Sequence, residues 1–422
     1  MKCKNILGVV AIISLILIHS LSWAGGTEQF SFTVFGDSRL PGNMNFSQDQ
    51  CNIDGPLDQY IRANFMGKTV SDFALSFNKG GKLVKLRVPK DGELYKEITL
   101  DTNGWPKKII DTSKTPSLTL IEEGQVWVYD SVIDSVAGES SEGFVLHTGD
   151  ISYNGYYGTD PSSVYWAEFK ARLLDRLPSG TPKGLVGRFF PAVGNHETWL
   201  DPEMKGLRST VPYLKKLKVT ADNHMYTFDY SGSRFIFLDT GGYNPPAGWS
   251  DDSKPNYTDQ MTQMTIWLAE AQKKNISHVF IALHKPLFCS AGHGHLSADK
   301  NPHNILKWFA AAKDHPLDIT VFSGHVHSSE MYYKDNIRYM VLGGGGADQV
   351  YSVNECAKDD QYCQDELYWA GKKRVMEYNY LTVAVDDYDI FFKMNRWRPQ
   401  ANGFETCIID KQMNMKCEKS ER

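Results

Sequence analysis

Side chains that commonly bind metal ions follow five apolar runs in this sequence. The blocks are Gly36-Asp37, Gly-Asp-Ile-Ser-Tyr at 149–153, Gly-Asn-His-Glu at 194–197, His284, and Gly-His-Val-His at 324–327. Their donors are oxygens and imidazole nitrogens, a set that suits zinc, manganese or iron, whereas calcium prefers oxygen alone. Two cations roughly 3.5–4 Å apart can activate a water molecule and stabilise both oxygens in a displacement at phosphorus. The blocks therefore predict a two-metal hydrolytic centre, with these ligands: Asp37, Asp150, Tyr153, Asn195, His284, His325 and His327.

Each block stands at the end of a segment that is typical of a β-strand. The segments are 30–35, 144–146, 189–193, 278–283 and 319–322, and two further runs of this kind are 234–238 and 338–342. In open α/β sheets, functional groups collect beyond the carboxyl ends of the strands, so distant residues can converge there. We expect the glycines before the ligands to permit the tight backbone turns that direct the ligands inward.

Segments with helical spacing lie between these strands. They cover residues 165–177, 258–274 and 301–313, and their apolar side chains repeat on one face. Alternating strands and helices predict a layered α/β domain.

The first 24 residues have the pattern of a secretory signal peptide. Lys2 and Lys4 precede an apolar run from Ile6 to Ile18, and Ser22-Trp23-Ala24 is a small-x-small cleavage pattern. The run is shorter than the ~20 residues that a membrane-spanning helix needs. The sequence predicts cleavage near Ala24 and a secreted or periplasmic protein with no membrane span after cleavage.

Charge and cysteine content limit the partners and the compartment. The formal net charge is −5, which gives no reason to expect a nucleic-acid partner, since such proteins usually present a basic surface. Six cysteines follow the signal segment, an even number that suits disulfides in an oxidising compartment. Cys356 with Cys363 and Cys407 with Cys417 are the locally plausible pairs, although a thiolate metal site is an alternative. The oligomeric state stays open.

The segment between Asp37 and Asp150 is far longer than the about thirty residues that a β-α-β unit needs. Short strand-like runs at 82–88, 94–100 and 117–121 alternate there with turn sequences. We therefore expect a β-rich insertion at about residues 65–125. It either packs against the domain or forms a lid or partner surface over the metal site. The predicted organisation is a signal peptide (1–24), a main domain (25–350) and a C-terminal segment (351–422) of strands and cysteines that completes it.

The ordered blocks resemble those of the calcineurin-like metallophosphoesterase superfamily, over residues 36–327. Gly-Asp-Ile-Ser-Tyr at 149–153 is similar to the Gly-Asp-x-x-Tyr block of purple acid phosphatases. The resemblance implies a four-layer α/β/β/α sandwich. It also implies that Asp37, Asp150, Tyr153 and His327 bind a first metal, ferric iron in the purple enzymes. A second, divalent ion (iron, zinc or manganese) would be bound by Asp150, Asn195, His284 and His325, so that Asp150 is shared.

The same resemblance suggests catalytic roles for further residues. His196 would contact the phosphate or protonate the leaving oxygen, and Glu197 would orient it. Family members also place a histidine shortly after the His284 block, where His293 and His295 compete and His295 is preferred. These roles come from the resemblance and not from spacing.

The first block departs from the family pattern at Arg39. Most superfamily members have Asp-x-His there, whereas this chain has Asp37-Ser38-Arg39. Arginine keeps its proton and is not a metal ligand, but its planar fork can clamp phosphate oxygens. An ion pair with a neighbouring carboxylate is the alternative. Because Arg39 replaces the histidine ligand of most superfamily members, Tyr153 becomes more important as a ligand of the first metal.

The leading hypothesis is an exported phosphoesterase that hydrolyses small phosphate monoesters by attack of a metal-bound hydroxide, similar to acid phosphatases. A phosphodiesterase or nucleotide pyrophosphatase on the same core is the alternative among enzymes. A non-catalytic, metal-dependent binding module is the alternative from another class.

Overall fold

The computed structural model describes residues 29–38, 46–58, 61, 69–87, 96–100, 106–111, 118–121, 125–140, 143–151, 164–198, 201, 203–240, 257–289, 315–347, 366–369, 378–386, 389–398 and 403–417. Several predicted features lie outside these residues: the signal peptide (1–24), the helix at 301–313, Arg39, Tyr153, His293, His295, Cys356 and Cys363.

The described residues form strands in three sheets. In chain order the strands are β1 (Phe30–Phe35), β2 (Ala74–Phe77), β3 (Leu83–Arg87), β4 (Lys96–Leu100), β5 (Pro106–Asp111), β6 (Leu118–Ile121), β7 (Phe144–His147), β8 (Phe189–Pro191), β9 (Tyr226–Tyr230), β10 (Ser233–Phe237), β11 (His278–Ala282), β12 (Asp318–Ser323), β13 (Ser329–Lys334), β14 (Ile337–Leu342), β15 (Glu366–Trp369), β16 (Tyr378–Val385), β17 (Ile390–Arg398), β18 (Gly403–Ile409) and β19 (Met415–Cys417). All seven predicted strand segments coincide with one of them.

Two seven-stranded sheets carry the main body of the fold. The first sheet has the order β19-β18-β17-β16-β1-β7-β8, and the second has the order β15-β13-β14-β12-β11-β10-β9. Neighbours are parallel along β1-β7-β8 and along β10-β11-β12-β14. Since the carboxyl ends of parallel strands lie at one edge, each sheet delivers its ligand-bearing loops to a single edge.

The two sheets pack face to face through aromatic side chains. The ring of Phe32 on β1 lies 5.3 Å from that of Phe235 on β10 and 5.0 Å from that of Phe280 on β11, centroid to centroid. Alternate residues of the second sheet point the other way, so that Val279 and Ile281 belong to a separate buried cluster. This alternation follows from the two-residue period of a strand.

The described residues form five α-helices, and the three longest cover the outer faces of the two sheets. The five helices are α1 (Gln125–Glu139), α2 (Val164–Arg172), α3 (Asn195–Thr198), α4 (Lys205–Thr210) and α5 (Tyr257–Lys273). Val132 and Ile133 of α1 and Trp166 of α2 join the cluster of the first sheet, whereas Met264 and Leu268 of α5 join that of the second. The layers are therefore α/β/β/α, which confirms the predicted mixed α/β sandwich. No described helix has the length and hydropathy of a membrane span.

The segment between β1 and β7 forms a third sheet. Strands β2 to β6 pair in sequential antiparallel order, and they bury their own cluster, which includes Leu83, Leu86 and Ile98. Its role and the predicted domain boundaries stay predictions.

The C-terminal strands complete the first sheet. Strand β16 pairs antiparallel with β1, and β17 to β19 extend the sheet from there. Cys407 on β18 and Cys417 on β19 form a disulfide, as their spacing suggested. Among the other described cysteines, Cys51 forms no disulfide and its thiol donates to the carbonyl oxygen of Ser47, while Cys289 is buried.

Candidate metal centre

Loops from both sheets meet at one edge of the sandwich. Asp37 follows β1, Asp150 follows β7, and Asn195 follows β8 at the start of α3. His284 follows β11, while His325 and His327 follow β12. The loops are bonded to one another, because the backbone N–H of Asp37 donates to the carbonyl oxygen of Gly149 at 2.9 Å and that of Gly324 donates to His284 at 2.9 Å. The structure thus brings together six of the seven predicted ligands.

One group of donors consists of Asp37, Asp150 and His327. Each supplies a ligand atom, and these atoms all lie within 4.8 Å of one another. Nε2 of His327 is 3.4 Å from Oδ1 of Asp37, and all three side chains are buried. Two buried carboxylates beside an imidazole suit a divalent or trivalent cation, whose charge offsets the repulsion between the carboxylates.

A second group of donors shares Asp150 with the first. Oδ1 of Asn195 lies 2.9 Å from Nε2 of His284 and 3.1 Å from Nδ1 of His325, and the two imidazole nitrogens are 3.2 Å apart. Oδ1 of Asp150 is 3.3 Å from Nε2 of His284. The donors therefore fall into two overlapping sets with Asp150 between them.

The tautomer of His284 shows that these donors fit a cation. Its Nδ1 lies 2.8 Å from the carbonyl oxygen of Thr148, which can only accept, so Nδ1 carries the proton. Burial lowers the pKa of His284, although the negative charges of Asp37 and Glu197 raise it in part. The ring is therefore neutral, and Nε2 carries a lone pair. That lone pair faces the amide oxygen of Asn195. Two facing lone pairs are what a metal ion placed between them would use.

The backbone at the ligands corrects the expectation about the glycines. Asp37, Asp150 and His325 themselves have positive φ angles of 56°, 59° and 66°, a region that Asp and His enter more readily than most residues. Of the four glycines before ligands, only Gly149 has a positive φ, of 95°. The expectation was therefore wrong for the other three.

Gly194 and Gly324 are required because no side chain would fit at their positions. A Cβ on Gly194 would lie 2.3 Å from the backbone nitrogen and from Oδ1 of Asp150, and one on Gly324 would lie 2.4 Å from Oδ2 of Asp37. Any side chain at either position would push a ligand carboxylate out of place.

Glu197 connects the loops that follow β7 and β8. Its Oε2 accepts from the backbone N–H groups of Asp150 at 2.9 Å and Gly194 at 2.8 Å, and its Oε1 accepts from that of Ile151 at 2.7 Å. The side chain is buried. These bonds hold the backbone of the shared ligand, whereas the sequence suggested that Glu197 orients His196.

His196 lies against the same ligand. Its backbone N–H donates to Oδ1 of Asp150 at 3.0 Å, and its Nε2 is 3.7 Å from Oδ2 of Asp150. A histidine in this position can bear a proton close to the metal donors.

His147 was not singled out by the sequence, yet it joins the first two ligand loops. Its Nδ1 accepts from the backbone N–H of Gly149 at 3.1 Å, and its Nε2 is 2.9 Å from Oγ of Ser38. Burial sets the pKa of His147 well below its usual value, and the nearby His284 adds to this effect. The neutral ring thus bridges the loops that carry Asp37 and Asp150. Its place at the end of β7 was the only sequence signal.

Two threonines position His284 and were also missed. The carbonyl oxygen of Thr148 accepts a hydrogen bond from Nδ1–H of His284. Oγ1 of Thr240 accepts from the backbone N–H groups of His284 at 3.2 Å and Lys285 at 2.8 Å. Asp239, which follows β10, lies with Oδ2 2.7 Å from Nδ1 of His224.

Comparison with known proteins assigns the chain to a family. The family model of the calcineurin-like phosphoesterases matches residues 111–329, which include every candidate ligand except Asp37. The chain belongs to this family, whose members use a dinuclear metal centre, and the resemblance seen in the sequence is confirmed at this level. It is a metal-dependent phosphoesterase by family. No curated protein matches the chain.

Two solved structures are similar to the chain at low identity. One is described as "GAP50 the anchor in the inner membrane complex of Plasmodium"; it is 15% identical, covers 71% of this chain and 85% of that one, and has a TM-score of 0.40. The other is an uncharacterized protein from Streptococcus pneumoniae TIGR4, described as a predicted phosphoesterase. It is 10% identical, covers 70% of this chain and 92% of that one, and has a TM-score of 0.24.

Proposed function

We propose that the protein is an exported binuclear-metal phosphoesterase that hydrolyses phosphate monoesters, similar to acid phosphatases. One observation carries the proposal: the donors form two overlapping sets that share Asp150. Asp37, Asp150 and His327 would hold one ion with Tyr153, and Asp150, Asn195, His284 and His325 would hold the other. When bound, the two cations would activate a water molecule and neutralise charge on the phosphate oxygens.

The chain's own residues have distinct roles in this proposal. Glu197 and His147 fix the loops on which the ligands stand. His196, held against Asp150, contacts the phosphate or gives a proton to the leaving oxygen. Arg39 clamps phosphate oxygens, and His295 or His293 completes the substrate side.

Comparing two substrates tests the reaction class. We expect faster hydrolysis of mono-nitrophenyl phosphate than of bis-nitrophenyl phosphate by the metal-loaded protein. The reverse preference would favour the phosphodiesterase alternative. Absence of hydrolysis by the metal-loaded protein, together with binding to a partner protein that Asp150→Asn leaves intact, would favour a binding module.

Metal analysis combined with the visible spectrum tests the purple subtype. A tyrosinate-to-iron absorption that is present in the protein and lost in Tyr153→Phe would support a ferric first site. Tyr333→Phe, at an exposed position on β13, is the matched control. A colourless and fully active zinc or manganese enzyme would exclude the purple acid phosphatase-like subtype but would remain consistent with a phosphoesterase.

Phosphate inhibition tests Arg39. Arg39→Ala should weaken inhibition by phosphate and leave the metal content unchanged, because guanidinium binds phosphate and not cations. Unchanged inhibition would dismiss this role.

Export is proposed from the sequence of residues 1–24, and the Cys407–Cys417 disulfide supports it, since disulfides persist in oxidising compartments. N-terminal sequencing of the mature protein should give a start near Gly25. A start at Met1 would contradict export by cleavage.

A further inference from the structure

A groove lies between helix α4 and the 3₁₀ helix Pro212–Leu217 that follows it. Its volume is about 360 Å³, and its lining consists of Lys205, Arg208, Ser209, Pro212, Lys215 and Val219. We propose that this groove binds an anionic ligand that carries two or more phosphate groups. The proposal does not rest on the phosphoesterase activity, because none of the lining residues is a candidate ligand of the metal centre.

The groove concentrates positive charge in an acidic protein. Residues 203–219 contain five lysines and arginines but only one carboxylate, that of Glu203, although the whole chain has a net charge of −5. Nζ of Lys205 pairs with Glu203 at 3.2 Å. Among the described residues, Arg208 and Lys215 have no carboxylate partner. Their charges are therefore left to attract an anion.

The cations stand on elements that the core holds in place. Leu207 on α4, Val211 and Leu214 are buried in the cluster of the first sheet. Nε of Arg208 donates to the carbonyl oxygen of Glu203 at 3.0 Å, and the backbone N–H of Gly206 donates to Oδ2 of Asp201 at 2.8 Å. Because the backbone is anchored on its apolar side, little backbone order has to be gained on binding.

The lining chemistry indicates phosphate groups. A guanidinium offers a planar fork of donors, an ammonium offers a compact charge, and the hydroxyl of Ser209 can donate as well. A phosphate group presents more acceptor oxygens and more charge than a carboxylate. Lys205 pairs with Glu203, and the other two lining cations stand on different elements, Arg208 on α4 and Lys215 on the 3₁₀ helix, so each can engage its own phosphate group. A ligand with at least two phosphate groups satisfies this set.

The test measures binding of methylenediphosphonate, whose bridging carbon resists hydrolysis, to the full-length, metal-loaded protein by calorimetry. The groove variant is Arg208→Gln with Lys215→Gln. The control, Lys273→Gln with Lys416→Gln, removes the same charge at exposed positions elsewhere. All three proteins keep the metal centre, so binding there is common to them.

We expect the groove variant to bind at least about tenfold more weakly, since hydrogen bonds to charged groups are lost, and the control to bind as the unchanged protein does. Equal affinity in all three proteins would overturn the proposal. Equal binding of the carboxylate analogue tricarballylate would overturn the phosphate assignment. If the double variant fails to fold, Lys215→Gln alone serves, because among the described residues Lys215 has no side-chain bond within the fold.

Discussion

Oε2 of Glu197 accepts a hydrogen bond from the backbone N–H of Asp150 at 2.9 Å, so the backbone of the residue that both donor sets share is held by a side chain of the next loop. The same oxygen also binds Gly194. The position of the shared ligand therefore depends on a side chain that lies in neither donor set.

Replacing Glu197 should damage both stability and metal binding. Glu197→Gln removes the charge and leaves one amide group facing backbone donors, so we expect a loss of about 2–3 kcal/mol in the free energy of unfolding. Metal content, measured by elemental analysis, should fall at the same time. Glu203→Gln, at an exposed carboxylate, should change the stability by less than about 0.5 kcal/mol. Full metal content in Glu197→Gln would show that the hydrogen bonds from the Asp150 and Gly194 backbone to Glu197 are not needed for metal binding.

Adding one methyl group at Gly194 should displace Asp150. A Cβ there would lie 2.3 Å from the nitrogen of Asp150, and such overpacking costs about 1–3 kcal/mol. We expect Gly194→Ala to lower both thermal stability and metal content. Gly138→Ala in α1, where a Cβ meets nothing within 4 Å, should instead stabilise by about 0.5–1 kcal/mol. Similar effects of the two substitutions would contradict the crowding argument.

Removal of the metal ions should destabilise the protein. Asp37 and Asp150 are buried close together, and without a cation their charges repel. Ions at a hundred times their dissociation constant would contribute about 2.7 kcal/mol. Melting with and without a chelator measures the difference, which zinc, manganese or iron should restore. In Asp37→Asn the chelator should have a smaller effect, and an unchanged melting temperature in the original protein would argue against ion binding.

Acid should destabilise the fold through His147. The pKa of its buried ring is lowered in the folded state, whereas the unfolded chain takes up a proton near pH 6.5. The stability from neutral His147 is thus complete above about pH 6.5 and is lost as the pH falls toward the folded-state pKa, at about 1.4 kcal/mol per pH unit.

A substitution isolates this contribution. His147→Asn removes the titrating ring and keeps an acceptor near the position of Nδ1. Histidine in an unfolded chain titrates at about pH 6.5. Between about pH 6.5 and pH 5, the free energy of unfolding should therefore fall less steeply with pH in this variant than in the original protein. An unchanged slope in His147→Asn would refute the assignment. This acid sensitivity also bears on any acid phosphatase activity, whose working range would have a lower limit.

The strands of the main sheets could be predicted because they are apolar runs that stop abruptly. Strand β1 matches its predicted bounds at Phe30 and Phe35, and the other six predicted segments differ from the observed strands by at most two residues at either end. Strand β5 was missed because it begins with Pro106 and continues with two lysines. Pairing with β4 and β6 makes it a strand, and such tertiary pairing leaves no local signal.

The candidate donors could be predicted because metal chemistry restricts residue types. The supporting residues could not, since a buried histidine such as His147 or a threonine such as Thr240 has many structural uses. Their roles arise from contacts with loops more than forty positions away. The glycines show a related limit: the sequence marked them correctly, but only the structure separates a need for space from a need for backbone freedom.

The pairing of β1 with β16 has a consequence for biosynthesis. Phe30 lies opposite Val385, so the strand that leads into Asp37 lacks one neighbour until the ribosome has passed residue 385. Until then one side of β1 is an open edge that can pair wrongly. The sheet beside the Asp37 loop is therefore incomplete until β16 has been made, and we expect a nascent chain stalled before residue 378 to leave one edge of β1 unpaired.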